Sequence, residues 1–123
     1  ENLANMQFDY LRKKAESGES FVVVGRCSED VLKKYPGTIS IFILGDWESK
    51  VDRVVRIYGM NRDEAETFMV RHDKKRKSYH NSHCKVKWGD SRNYDVSINS
   101  SKLGEEVTAE MLIDYIDRRQ NKH

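Results

Sequence analysis

A chain of 123 residues with 37% hydrophobic and 34% charged side chains is long enough for one domain with a core and too short for two. Two cysteines cannot make a disulfide framework, and no apolar run has the length of a secretory signal or a membrane span, so a reduced, cytoplasmic protein without membrane contact is expected. The net charge of +2 hides an uneven balance: residues 71–92 hold eight Lys or Arg against Asp73 and Asp90, which makes that segment +6 and the remainder −4.

In chain order, residues 3–17 read as a helix, with Ala4, Phe8, Leu11 and Ala15 at helical spacing and Gly18 as its stop. "FVVV" at 21–24 is a continuous apolar run ending in Gly25, the pattern of a strand buried on both faces. "SEDVLKKY" predicts a short helix closed by Pro36-Gly37. "ISIFIL" at 39–44 predicts a second buried strand. Asp46 suits the N-cap of a helix in which Val51, Val54, Val55 and Tyr58 form the apolar stripe, and Gly59 ends it. Asn61 and Glu64 have capping-box spacing and start a longer helix with Ala65, Phe68, Met69, His72 and Tyr79 on one side. "YDVSI" predicts a third strand, and Thr108 the cap of a last helix with Met111, Leu112, Tyr115 and Ile116 inward. Strands alternating with helices predict an α/β domain with a parallel sheet flanked by helices.

The basic segment admits several uses. The plain one is a solvated helix face. A second is nucleic-acid binding, with Tyr79, Trp88 and Tyr94 stacking on bases while cations meet phosphates. A third is a small polyphosphate ligand, since phosphoryl transfer is catalysed mainly by positioning and by cations around the transferred group. Those cations often sit on a lid that closes over the ligand, and residues 61–93, between one strand's helices and the next strand, are placed for that role. "HNSHC" offers His80, His83 and Cys84 as metal ligands but no fourth at a recognisable spacing, so no metal site is expected.

Four pieces, "FVVVGRCSEDVL", "FILGDWESKVDRVVRIYG", "DKKRKSYHNSHCKVKWGDSRNYDVSINSSKLG" and the closing helix, together resemble the cytidylate kinase-like family of bacteria, a branch of the nucleoside monophosphate kinases within the P-loop NTPase fold. The resemblance runs in order from about Gln7 to Arg119. It implies a transferase that moves the γ-phosphoryl group of ATP, with Mg²⁺, to CMP or a similar acceptor, the whole of 1–123 forming part of one nucleotide kinase-like domain. It assigns Gly25 and Arg26, at the carboxyl end of the first strand, to acceptor recognition. It makes Arg71, Asp73 and Arg76, an R-x-D-x-x-R pattern, the catalytic lid residues. Lys75, Tyr79 and Arg53 would assist at the substrate phosphates, and Asn99 and Lys102 in "NSSKLG" would lie by the donor base. Nucleic acid is not the expected partner.

One part of that family pattern is absent. Nothing in the 123 residues matches G-x-x-x-x-G-K-[ST], the loop whose backbone N–H groups cradle donor phosphates. In the parent fold the strand before that loop lies between the strands expected at 21–24 and 39–44. Without it both lose a neighbour, and unpaired backbone and apolar surface are left open. The chain, which opens on Glu1, is therefore expected to be inactive alone, and either to be completed by a missing N-terminal segment or by homo-oligomerisation, or to have rearranged. A nucleotide-sensing module without catalysis is the alternative use of the same fold.

Overall fold

The computed structural model describes residues 2–25, 27–84 and 87–121. Its elements are α1 (Asn2–Glu16), α2 (Ser28–Val31), β1 (Ile41–Leu44), α3 (Trp47–Tyr58), α4 (Arg62–His83), a 3₁₀ turn (Ser91–Asn93), β2 (Val96–Asn99), α5 (Ser100–Leu103) and α6 (Glu105–Gln120). β1 and β2 pair in parallel, Ile41 with Val96 through Leu44 with Asn99. A parallel pair needs a long crossover, and α3 and α4 supply it. The chain is thus α/β, with a small parallel sheet of two strands among the described residues and helices in the majority.

The helices form where the periodicity places them. α4 starts on a complete capping box: the Asn61 Oδ1 accepts from the Glu64 N–H at 2.9 Å, and the Glu64 Oε1 accepts from the Asn61 N–H at 3.1 Å. α3 ends at Gly59, whose φ of 68° is open to glycine and strained for other residues. Two apolar clusters result. Ala4 and Phe8 of α1 close on Cys27, with Val31, Tyr79 and Cys84 packed against them. Val51 of α3, fully buried, meets Ala65 and Met69 of α4.

Several expectations are corrected. Residues 21–24 are not a strand: they have no ladder partner among the described residues, and Val22 and Val24 are 94% and 88% exposed. The reason is the one anticipated for this sheet, since an apolar run becomes a strand only beside another strand. β1 shows the same want of a neighbour, with Ile43 and Leu44 exposed on an all-apolar strand. The helix expected over 28–35 keeps four residues and then turns. Thr108 lies inside α6 rather than at its cap, donating from Oγ1 to the Gly104 carbonyl at 2.7 Å, and Met111 faces out. The cysteines are not free thiols. Cys27 and Cys84, 57 residues apart, are joined in a disulfide. α4 runs on to His83 and carries Cys84 back to the corner that follows Gly25. No helix among the described residues is long and apolar enough to cross a membrane.

Candidate functional site

In open α/β sheets ligands bind beyond the carboxyl ends of the strands. Here that edge is formed by Leu44-Gly45-Asp46 after β1 and Asn99-Ser100-Ser101 after β2. The two turns are laced together. The Asp46 N–H donates to the Ser101 Oγ at 2.9 Å, the Asn99 Nδ2 to the Asp46 Oδ1 at 2.9 Å, and the Ser100 Oγ to the Leu44 carbonyl at 3.2 Å. Lys102 Nζ lies 3.3 Å from the Asp46 Oδ2. The Asn99 amide, followed by the Lys102 ammonium, holds the Asp46 carboxyl below the usual carboxylate range. Asp46 therefore precedes α3 without capping it by its side chain, because its carboxylate is spent across the sheet edge.

From this edge the site extends to the basic helix. Lys50, one turn into α3, points its Nζ toward the Asp73 Oδ2 of α4 at 4.0 Å, and Asp73 also pairs with Arg76. A Cβ on Gly45 would press on the Lys50 Cγ at 3.1 Å, so the glycine leaves room for that stem. The Arg76 guanidinium and the Lys77 ammonium stand over the Trp88 ring, 5.4 and 5.5 Å from its centre. Trp88 meets Phe42 of β1 edge-on at 5.4 Å. Gly89 turns the chain there with a φ of +78°, and a Cβ would touch the Phe42 Cζ at 3.5 Å. Asp90 accepts from the Arg92 side chain and backbone N–H, which together hold its carboxyl down at about 2. The W-G-D turn thus folds the return from α4 against the sheet.

Residues with a site role expected from sequence fall into groups. Asp73 and Arg76, three apart on α4, share a face and an ion pair. Arg71 and Lys75 lie on another face of that helix, exposed and with no ion pair among the described residues. Asn99 and Lys102 meet at Asp46, on the sheet edge. Arg53 is on α3 and pairs with Glu105 at the start of α6. Tyr79 stacks on His83, with ring centres 4.4 Å apart, and packs against the α1 cluster. Gly25, with a φ of +73°, closes the extended run 21–24. Arg26 lies outside the described residues. Lys50 and Asp46 were missed as site residues. Their signal was available in the sequence: a glycine and an aspartate directly after an apolar strand, followed by a lysine one helical turn later.

A shallow cleft of about 210 Å³ lies at the opposite, amino end of the strands, lined among others by Glu29, Lys33, Ser40, Arg92 and Asp95. Its mixed charge and its position do not suit a nucleotide. Among the described residues, the group with metal-ligand geometry is Cys27, His80 and Cys84. Thiolate and imidazole donors do not fit Mg²⁺, which takes oxygen ligands and travels largely on substrate phosphates.

None of the curated proteins compared matches the chain. A crystal structure of an uncharacterized protein from Eubacterium ventriosum ATCC 27560 is similar at a TM-score of 0.92 and 46% identity over 96% of this chain. The chain spans 66% of that protein's length, so the relative carries substantial sequence with no counterpart here. The pattern of one family matches residues 1–102 and takes in the sheet edge, α3, α4 and the W-G-D turn. The chain belongs to the cytidylate kinase-like family.

Proposed function

We propose that this chain is part of a nucleoside monophosphate kinase of P-loop type, which passes the γ-phosphoryl group of ATP to CMP or a similar acceptor, with Mg²⁺ entering on the ATP. The observation that carries the reading is the line of charges Lys50–Asp73–Arg76, which runs from the carboxyl end of β1 to the basic helix. Family membership supplies the reaction class. In this reading Arg76 and Lys50 meet phosphoryl oxygens, where fixed cations stabilise the charge of the transferred group. Asp73 holds both cations in place until substrate competes for them. Trp88 sets the direction of Arg76 by stacking beneath it. Asn99 and Lys102 border the donor nucleotide, and Arg26 with Gly25 borders the acceptor. The donor-phosphate loop is not among these residues, so turnover belongs to the longer protein.

The test is a coupled assay of the full-length protein with MgATP and CMP, dCMP or UMP. Turnover with at least one acceptor is expected, and Arg76→Ala should lower kcat by about 10²–10³-fold, the usual cost of losing one charge-stabilising donor. Acceptor binding without phosphate transfer would favour a sensing module. Failure to bind or phosphorylate any of the three nucleotides would sink the proposal.

A further inference from the structure

Away from that site, the end of α4 meets the corner after Gly25, and the geometry points to a redox-gated zinc site formed by Cys27, His80 and Cys84. The two sulfurs and one His80 ring nitrogen all lie within 4.8 Å of one another. The three donors of a tetrahedral zinc centre, with bonds of about 2.0–2.3 Å, stand about 3.5–4 Å apart, so the histidine is within reach of both sulfurs, and the sulfurs, here bonded to each other, part on reduction to take up that spacing. Cys27 and His80 are buried at 2% and 5% exposure, and Cys84 is half-buried.

The imidazole supplies a second, independent observation. Its Nε2 is 2.8 Å from the Glu29 Oε2, while its Nδ1 is buried with no hydrogen-bond partner among the described residues. A buried ring nitrogen without a partner is costly. The surroundings also choose the tautomer. Tyr94 donates its O–H to the same Glu29 oxygen at 3.1 Å, so the carboxylate is an acceptor for both neighbours. His80 then donates from Nε2, and its lone pair is on Nδ1. A carboxylate on one nitrogen leaves Nδ1 as the nitrogen open to a metal, and a histidine oriented this way is the usual build of a zinc-binding imidazole. Sulfur and imidazole together select zinc over magnesium or calcium.

In the oxidised chain the sulfurs are joined to each other. A dithiol reductant passes two electrons and two protons to them, giving two thiols and its own disulfide. Zn²⁺ then displaces both thiol protons to solvent and takes two thiolates and the His80 Nδ1, with water as the fourth ligand. Peroxide reverses the exchange: two thiolates, one peroxide and two protons give the disulfide, free Zn²⁺ and two waters. Either bond ties the end of α4 to the Gly25 corner, and the metal-free dithiol releases it.

Cobalt titration of untagged full-length protein reads this directly, because Co²⁺ bound by thiolates absorbs by charge transfer. The expected result is one thiolate-bound Co²⁺ per chain in the reduced protein, displaced by Zn²⁺ and abolished by peroxide. Cys84→Ser should remove that signal, and Glu29→Gln should weaken Zn²⁺ binding by about 10–100-fold. No thiolate absorption from reduced protein that is folded by circular dichroism would overturn the proposal, as would a signal unchanged in Cys27→Ser and Cys84→Ser. Should reduction unfold the wild type, refolding by one equivalent of Zn²⁺ supports the site, and failure to refold overturns it.

Discussion

Tyr94 shows how much a single residue's surroundings decide. Burial, then the Glu29 carboxylate beside it, pushes its phenol up to about 12, against about 10 in an unfolded chain. Between those values the unfolded state has lost the proton and the folded state keeps it, so this contribution is whole below pH 10 and is lost as pH rises toward 12. Tyr94→Phe is expected to flatten that part of the stability profile, measured by urea unfolding from pH 9 to 12; an identical slope in wild type and variant would refute the assignment. None of this was legible in the sequence. Tyr94 read as a base-stacking aromatic and Glu29 as a helix residue, 65 positions apart. Cys27 and Cys84 were hidden for the same reason. "HNSHC" offered His80 and Cys84 as ligand types, but Cys27, 57 residues from Cys84, has no local spacing to recognise, and only the length of α4 and the turn back to the Gly25 corner bring it to them. Asp73 and Arg76 were legible because a helix fixes which side chains three apart will meet.

At the scale of elements, α3 and α4 follow their sequence closely. Apolar spacing set the buried stripes, Gly59 the end of one helix and Asn61 with Glu64 the start of the next. Asn61→Ala should cost about 1 kcal/mol, seen as a lower urea midpoint with an unchanged slope. A midpoint equal to that of the wild type would mean that packing of Ala65 and Met69 alone holds the helix start. Strands behaved differently. A helix closes its hydrogen bonds within itself, whereas a strand depends on a partner remote in sequence. Hence 41–44 and 96–99 form strands by pairing with each other, and 21–24, of equal apolar character, does not.

At the scale of the whole molecule, the exposed run at Val22 and Val24 and the exposed Ile43 and Leu44 of β1 belong together. Apolar surface of this kind favours association. The isolated 123-residue chain is expected to self-associate and to bind a hydrophobic dye, as read by sedimentation and dye fluorescence. A dye-silent monomer at high concentration would show that these residues find cover within the chain.

By itself the sequence determined the α/β class, the long helices with the Gly59 stop and the Asn61–Glu64 cap, the concentration of charge between 71 and 92, and the family. Each of these depends on composition or on spacings shorter than a few helical turns. Tertiary structure alone decided that Lys50 reaches Asp73, that Trp88 lies under Arg76 and Lys77, and that two cysteines and a histidine share one pocket. Those are meetings between separate elements, and no periodicity encodes the angle at which two elements pack.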